Sequence, residues 1–567
     1  MKRQPLSSPM LVATLLALGL TVAPVALTPA IACPTNSSLA PAGSSIPLFD
    51  NLGTYQRPIS TPSAQAQQYF NQGMILAYGF NHAEAARSFQ AGIRSDENCA
   101  MCYWGLAYVL GPNINAPMAL TAVPTAWEAI QQAQAHQANA TPLERALIDA
   151  QAARYTPDGT GGDRAALDRA YATAMAAVYQ QYPDDPDVAT LYAEALMNTM
   201  PWDYWDENGH AKPETTVLLT TLEAAIAQHP DHIGALHLYI HAVEKEQPER
   251  AEAAADALLN LAPGAGHLVH MPSHIYIRIG RYHDAVTANQ RAVAADDARP
   301  HEPSLYTLGY MPHNHHFEWF GAMMTGQLAI ALDAAHHTAQ VDAAMLQDPD
   351  FGGSLQHYTT MPLFTLVRFA QWDAVLATPA PAADLKYPTG IWHYAQGMAL
   401  AAQGHPAPAK AHLDAMQALV ADAELQAMTI WGFNTPSQVL DIAAAVLAGE
   451  IALADHNFDG AIAALQQATA LESQLVYTEP PDWYASTQNL LGQGLLRAGR
   501  YADAEAAFRA DLATYPENGW SLFGLAQSLR AQGKTAEAEA VQVRFEQAWQ
   551  YADEAVTAGL SATMPAP

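Results

Sequence analysis

The chain has 567 residues, half of them apolar, with 25 Lys+Arg against 55 Asp+Glu and a formal net charge of −30. Phosphate neutralisation needs clustered Lys and Arg; none is visible, so the composition argues against nucleic-acid binding and against adsorption to anionic membranes. The apolar half also excludes disorder over most of the length, and a chain this long holds several domains or one repeat array.

Residues 1–32 read as an export signal: Lys2 and Arg3, an apolar stretch from Leu11 to Leu20, then the small-residue cleavage site Ala30-Ile31-Ala32. Cleavage there leaves Cys33 at the new terminus. A lipoprotein signal has Leu three residues before the Cys, and this chain has Ala30. The expectation is therefore a soluble periplasmic or secreted protein, with a lipid anchor on Cys33 as the alternative. No later run of about 20 apolar residues reads as a membrane span.

Residues 33–63, rich in Pro, Ser, Thr and Gly, read as a flexible leader. From Ala64 onward Ala is abundant, Val and Ile are sparse, and apolar residues recur at helical spacing. The pattern predicts helices over 66–79, 82–95, 99–110, 141–154, 163–181, 185–199, 214–228, 231–244, 249–261, 266–279, 282–297, 312–325 and 327–345, with similar elements to about 550. We divide them into N-terminal repeats (64–230), a His-rich centre (231–345), C-terminal repeats (346–551) and a disordered tail (552–567).

Two segments are self-similar: Gly280-Arg281-Tyr282-His283-Asp284-Ala285 and Gly499-Arg500-Tyr501-Ala502-Asp503-Ala504, the second followed by Phe508 and Pro516. Gly499 and Gly533 are one period of about 34 residues apart, and Gly73, Ala85 and Phe89 repeat the same relative places. Small residues where two helices touch, an aromatic where they meet and Pro as a stop resemble the tetratricopeptide (TPR) family. The resemblance implies an all-α superhelix, or solenoid, of antiparallel helix pairs with a concave wall. It is clear near 66–110, 231–345 and 482–550, and weaker at 112–230 and 350–470.

Histidine is unevenly placed: 14 of the 22 lie between His229 and His337. Residues three, four or seven apart on a helix lie within about 60° of one another. His237, His241 and Glu244 thus form one stripe, His267, His270 and His274 a second with Arg278 a turn further, and His313 and His316 a third. Two His four apart can grip one ion, and a carboxylate at seven can complete the site. With Gly280 and Gly326 as turn glycines, the second and third stripes take places that in TPR proteins resemble the ligand-facing wall, and His357 takes one such place a unit later. The expected site is a zinc or copper centre on that wall, built from His237, His241, Glu244, His267, His270, His274, His313 and His316. It is either a simple binding site or a metal-dependent hydrolase or oxidoreductase; in a hydrolytic centre Glu244 is the base. The alternatives are a peptide- or protein-binding groove without metal, using neutral imidazoles and Arg278, and a copper carrier or store. His-x-x-x-His-x-x-Glu lacks the Glu of H-E-x-x-H, so protease chemistry is not supported.

Cys99-Ala-Met-Cys102 opens a helix. A structural disulfide suits an exported protein; a redox pair or a soft-metal contribution are the other readings. Trp202-Asp203-Tyr204-Trp205 is expected as a packed lid or an exposed patch, and Asn113 and Asn115 as turn formers. The segments Gly79 to Ala85, Cys99 to Gly105, His237 to Glu244, Gly266 to Gly280 and His313 to Phe317 together resemble a group of exported bacterial TPR proteins. That resemblance implies fold and export and leaves the chemistry to the residues.

Overall fold

The computed structural model describes residues 46–157 and 161–563. The expected signal at 1–32, the terminus at Cys33, the leader up to 45 and the last residues of the tail lie outside the described residues. From Ala64 to Thr563 the chain is a succession of helices joined by turns, and among the described residues extended pairing is limited to three isolated bridges. The fold is an all-α, TPR-like solenoid of antiparallel helix pairs.

Local chemistry sets the helix ends. Ser63 and Asn81 accept the backbone N–H groups of Ala66 and Glu84, and Thr141 forms a reciprocal capping box with Glu144. The expected turn glycines Gly280, Gly326, Gly499 and Gly533 all have positive φ, between 73° and 84°, where a Cβ would be strained. Between the helices the aromatic expected at the meeting point is wedged among small residues. A Cβ on Gly73 or Gly105 would lie 2.6 or 2.4 Å from the Phe89 ring, and one on Gly492 or Gly524 would lie 2.6 or 2.2 Å from Phe508. One phenyl ring thus cements three consecutive helices in both units. In the unit before Phe508, Leu465 takes the equivalent place, 2.9 Å from a Cβ on Gly449 and 2.6 Å from one on Gly494. Leucine in place of phenylalanine is why the signal fades at 350–470.

Three expectations change. The leader is not loose from residue 46 onward: Ile46 and Leu52 are buried, Gln72 accepts from Phe49 N, and Gly264 N donates to Asn51 O at 2.8 Å. The tail carries a helix, Glu554–Thr563. Pro436–Ala454 is long and apolar enough to cross a membrane, contrary to the expected absence of such a run; it is mostly buried, with Leu440, Ile442, Val446 and Leu447 in the core.

Contacts between distant repeats bring segments over the centre. Trp520 and Trp549 donate to Met323 O and Met324 O at 2.9 and 3.0 Å, closing the C-terminal end of helix Met311–Met324. At the other end Tyr78 seats against Gly234 and donates to Asp187 at 2.5 Å. Asp187 also accepts from Arg57, Tyr55 and His232, so one buried carboxylate ties the leader, the first hairpin and the centre. Its pKa is held well below the usual carboxylate range: burial pushes it up, and the Arg57 charge with the His232 and Tyr55 hydrogen bonds outweighs that.

Candidate metal centre

Four helices deliver the histidines. Ile233–Val243 carries His237 and His241, with Glu244 at its C-cap. The segment expected as one helix at 266–279 divides into Gly266–His270 and Pro272–Ile279. Pro272 falls in the first turn of the second piece, where its missing N–H is harmless, and Met271 between the two pieces keeps α-helical dihedrals. His274 N bonds Met271 O, and the His270 carbonyl accepts Ser273 Oγ instead, at 2.7 Å. Met311–Met324 carries His313 and His316.

The rings of the three stripes converge, His316 excepted. His237 lies 4.9 Å from His241 and 5.0 Å from His267 between ring centroids, and His270 lies 4.9 Å from both His274 and His313. His267 and His270 are 5.6 Å apart, so the six rings are continuous. Ligand atoms gather into three sets, each within 4.8 Å: His237, His241 and His267; His270, His274 and His313; and Glu244, His274 and Glu479.

The array is not on an open concave wall. Apart from half-buried His313, its imidazoles are buried. Phe80, held at positive φ in the turn after the first helix, stacks on His241 and His267 and touches His237. Trp202 packs edge-on against His241, so the Trp202–Trp205 loop is a packed lid. Tyr310, bonded by Asn115 Nδ2 at 3.0 Å, closes on His267. His316 lies apart from the three sets: it faces Trp319, Tyr358 and His357. Its three-residue offset from His313 turns it toward the next hairpin. His357 bonds Tyr387 OH at 2.7 Å, and Arg278 sits behind Glu479, 3.9 Å from its Oε1, and not among the imidazoles. Cys99 and Cys102 are disulfide-bonded and packed against Ala66, and belong to none of the ligand sets, so the soft-metal reading does not hold for them.

Hydrogen bonds decide which nitrogens are free. His237 Nδ1 donates to the Tyr78 carbonyl, which only accepts, so Nε2 carries the lone pair. That Nε2, both nitrogens of His241 and both of His267 are buried without a hydrogen-bond partner. His241 Nδ1 is 3.3 Å from Glu244 Oε2 but is not aligned with it. In the second set Asn289 Nδ2 donates to Ala285 O, which fixes its Oδ1 as the acceptor of His270 Nδ1–H at 2.6 Å. His274 Nδ1 meets Glu479 Oε2 at 2.6 Å, and the two Nε2 atoms face each other at 3.0 Å. A proton satisfies that pair, or a metal ion replaces it.

Burial disfavours imidazolium throughout: it pushes His237 down to about 3 and His270 to about 4, and lowers His241, His267, His274 and His313 well below the usual value. The rings are neutral near pH 7, the form that ligates metals. Burial, then the Glu479 charge, raises Glu244, and burial raises Glu479 against the pull of Arg278.

Sequence reasoning missed Glu479, Asn289, Tyr78 and Phe80. Glu479 is 205 residues from His274 and lies in a loop without helical period. The Gly79-Phe80 pair at a helix end was the one local signal available.

These features define a TPR-like helical scaffold, a class suited to binding or interaction, that encloses a His/Glu cluster able to hold a metal ion. No protein-family model and no curated protein sequence matches the chain. Among solved structures, the human IFIT1 dimer with m7Gppp-AAAA is 12% identical over 86% of this chain and 90% of its own, with a TM-score of 0.30. The human IFIT1 dimer with PPP-AAAA is 12% identical over 85% and 91%, with a TM-score of 0.29. Overlap this low carries no argument, and the fold rests on the helices themselves.

Proposed function

We propose that this protein is an exported metal-binding TPR-like scaffold that holds one zinc or copper ion in each histidine triad. His237, His241 and His267 would hold the first, and His270, His274 and His313 the second, with Glu244 and Glu479 beside it. The observation that carries this reading is the set of five buried ring nitrogens of His237, His241 and His267 without partners. Leaving a buried polar atom unpaired costs about 1–3 kcal/mol, and natural interiors rarely tolerate several together. A cation accepts three such lone pairs at once.

Imidazole donors suit zinc and copper alike. The surrounding groups match those that orient metal-binding imidazoles elsewhere: a backbone carbonyl for His237, an amide for His270 and a carboxylate for His274. When bound, the ions supply fixed positive charge facing the two buried carboxylates. The disulfide and the Lys2-Arg3 and Leu11 to Leu20 pattern support an oxidising, exported location.

Elemental analysis of untagged protein after exhaustive dialysis tests the reading. Two ions per chain are expected. His270→Ala with His274→Ala should leave one, and His405→Ala, outside the cluster, should leave both. Sub-stoichiometric metal that dialyses away would leave a scaffold that binds partners without metal.

A further inference from the structure

His274 stands in two ligand sets, and as a neutral ring it has one proton to share between them. Its Nε2 faces His270 Nε2 at 3.0 Å, and its Nδ1 faces Glu479 Oε2 at 2.6 Å and Glu244 Oε2 at 3.4 Å. His270 keeps its own proton on Nδ1, against Asn289 Oδ1. With the His274 proton on Nδ1, the ring donates to Glu479, and two Nε2 lone pairs face each other across the second triad. A cation belongs between them. With the proton on Nε2, the ring donates to His270 instead. Nδ1, Glu479 Oε2 and Glu244 Oε2 are then three acceptors turned toward one another, and the cation belongs there.

The donors of this other place are free for an ion. Glu244 Oε2 has no hydrogen-bond partner, on a residue only 2% exposed. Glu479 Oε1 is occupied by the Tyr477 hydroxyl, with Arg278 behind it, which leaves Oε2. The three ligand atoms lie within 4.8 Å of one another. Glu244 Oε2 is also 3.3 Å from His241 Nδ1, so the place borders both triads. Two carboxylates with one imidazole make a harder donor set than three imidazoles, so zinc and copper favour the triads.

Access differs as well. Glu479 lines a cavity of about 390 Å³ between helices Phe458–Glu472 and Tyr501–Thr514 and the loop 473–486. Ser473, Val476 and Thr514 line the same cavity and are exposed, and none of the triad histidines lines it.

We infer that Glu244, Glu479 and Nδ1 of His274 form a loading seat for the buried centre. An incoming zinc or copper ion is held there first and passes to His270, His274 and His313 as the His274 proton changes nitrogen. One proton leaves Nε2 and one arrives on Nδ1, so the transfer takes up none overall. This rests on the metal reading and adds how an enclosed ion arrives.

Stopped-flow uptake of zinc by chelator-stripped, full-length protein, followed with a chromogenic chelator, tests it. Wild type should take up two ions. Glu244→Gln should retain both after dialysis but load at least one of them about tenfold more slowly, because the seat has lost a charged ligand. Glu249→Gln, on the surface, should load at the wild-type rate. Where Glu244→Gln fails to fold, anomalous scattering from zinc-soaked crystals of His313→Ala decides: with the triad incomplete, a peak is expected among Glu244, Glu479 and His274 Nδ1. Wild-type loading by Glu244→Gln, loss of a retained ion in that variant, or no peak at the seat in His313→Ala would overturn the inference and leave the two-ion reading intact. A wild-type protein that takes up no ion would overturn both.

Discussion

Replacing Asn289 with Leu separates a metal-orienting role from a structural one. Asn289 is fully buried; its Oδ1 accepts His270 Nδ1–H at 2.6 Å and its Nδ2 donates to Ala285 O at 2.7 Å. The first bond places the proton on Nδ1 and keeps Nε2 unprotonated, facing His274. Leucine fills similar space and accepts nothing, so His270 is free to move its proton to Nε2 and to rotate. Loss of such an orienting partner weakens metal affinity about 10–100-fold, or about 1.4–2.7 kcal/mol. Competition with a chromogenic chelator should then show one of two sites weakened by that factor and the other unchanged. Denaturant unfolding of metal-free protein should show a separate loss of about 1–3 kcal/mol from the unpaired imidazole N–H. Wild-type affinity at both sites, alongside that stability loss, would show that the hydrogen bond is structural only.

Four other outcomes follow from the same geometry. His316→Ala should leave the metal content at wild-type level, because His316 faces Tyr358 and His357, away from the triads; a lost ion on elemental analysis would contradict this. Cys99→Ser with Cys102→Ser should also retain both ions while lowering stability by about 2 kcal/mol for so short a loop, read by denaturant midpoint under oxidising conditions. Phe89→Ala removes the ring wedged between Gly73 and Gly105 and should cost about 3–5 kcal/mol by the same method. Asp187, depressed by Arg57 despite burial, contributes stability above its unfolded value of about 3.9, and this is lost as pH falls toward its folded value. Asp187→Asn should abolish that part of the acid dependence and cost about 1.5–3 kcal/mol at neutral pH, because Arg57 keeps Asp185 as its one remaining carboxylate; denaturant midpoints between about pH 2 and 7 read both.

The fold was legible because its rules are local. Helical period, turn glycines and an aromatic wedged among small residues are all written within one repeat, and Phe89 and Phe508 obey the same geometry. The histidine stripes were legible for the same reason, since spacings of three and four fix which rings share a face. Their burial was not. A repeat register says which face forms the wall, but the covering groups come from far away in sequence: Phe80 and Tyr78 from the first hairpin, Trp202 from a loop, and Glu479 from a loop after the twenty-odd helices that precede it. His316 stands apart from the three ligand sets because an offset of about 60° from His313, small on a helical wheel, turns its ring toward Trp319, Tyr358 and His357.

The metal reading stands most directly on anomalous scattering from crystals of the untagged protein, recorded on both sides of the zinc and copper absorption edges. One peak is expected against His237, His241 and His267, and a second against the Nε2 atoms of His270 and His274 with His313. Density at neither position, in protein never exposed to chelator, would contradict it.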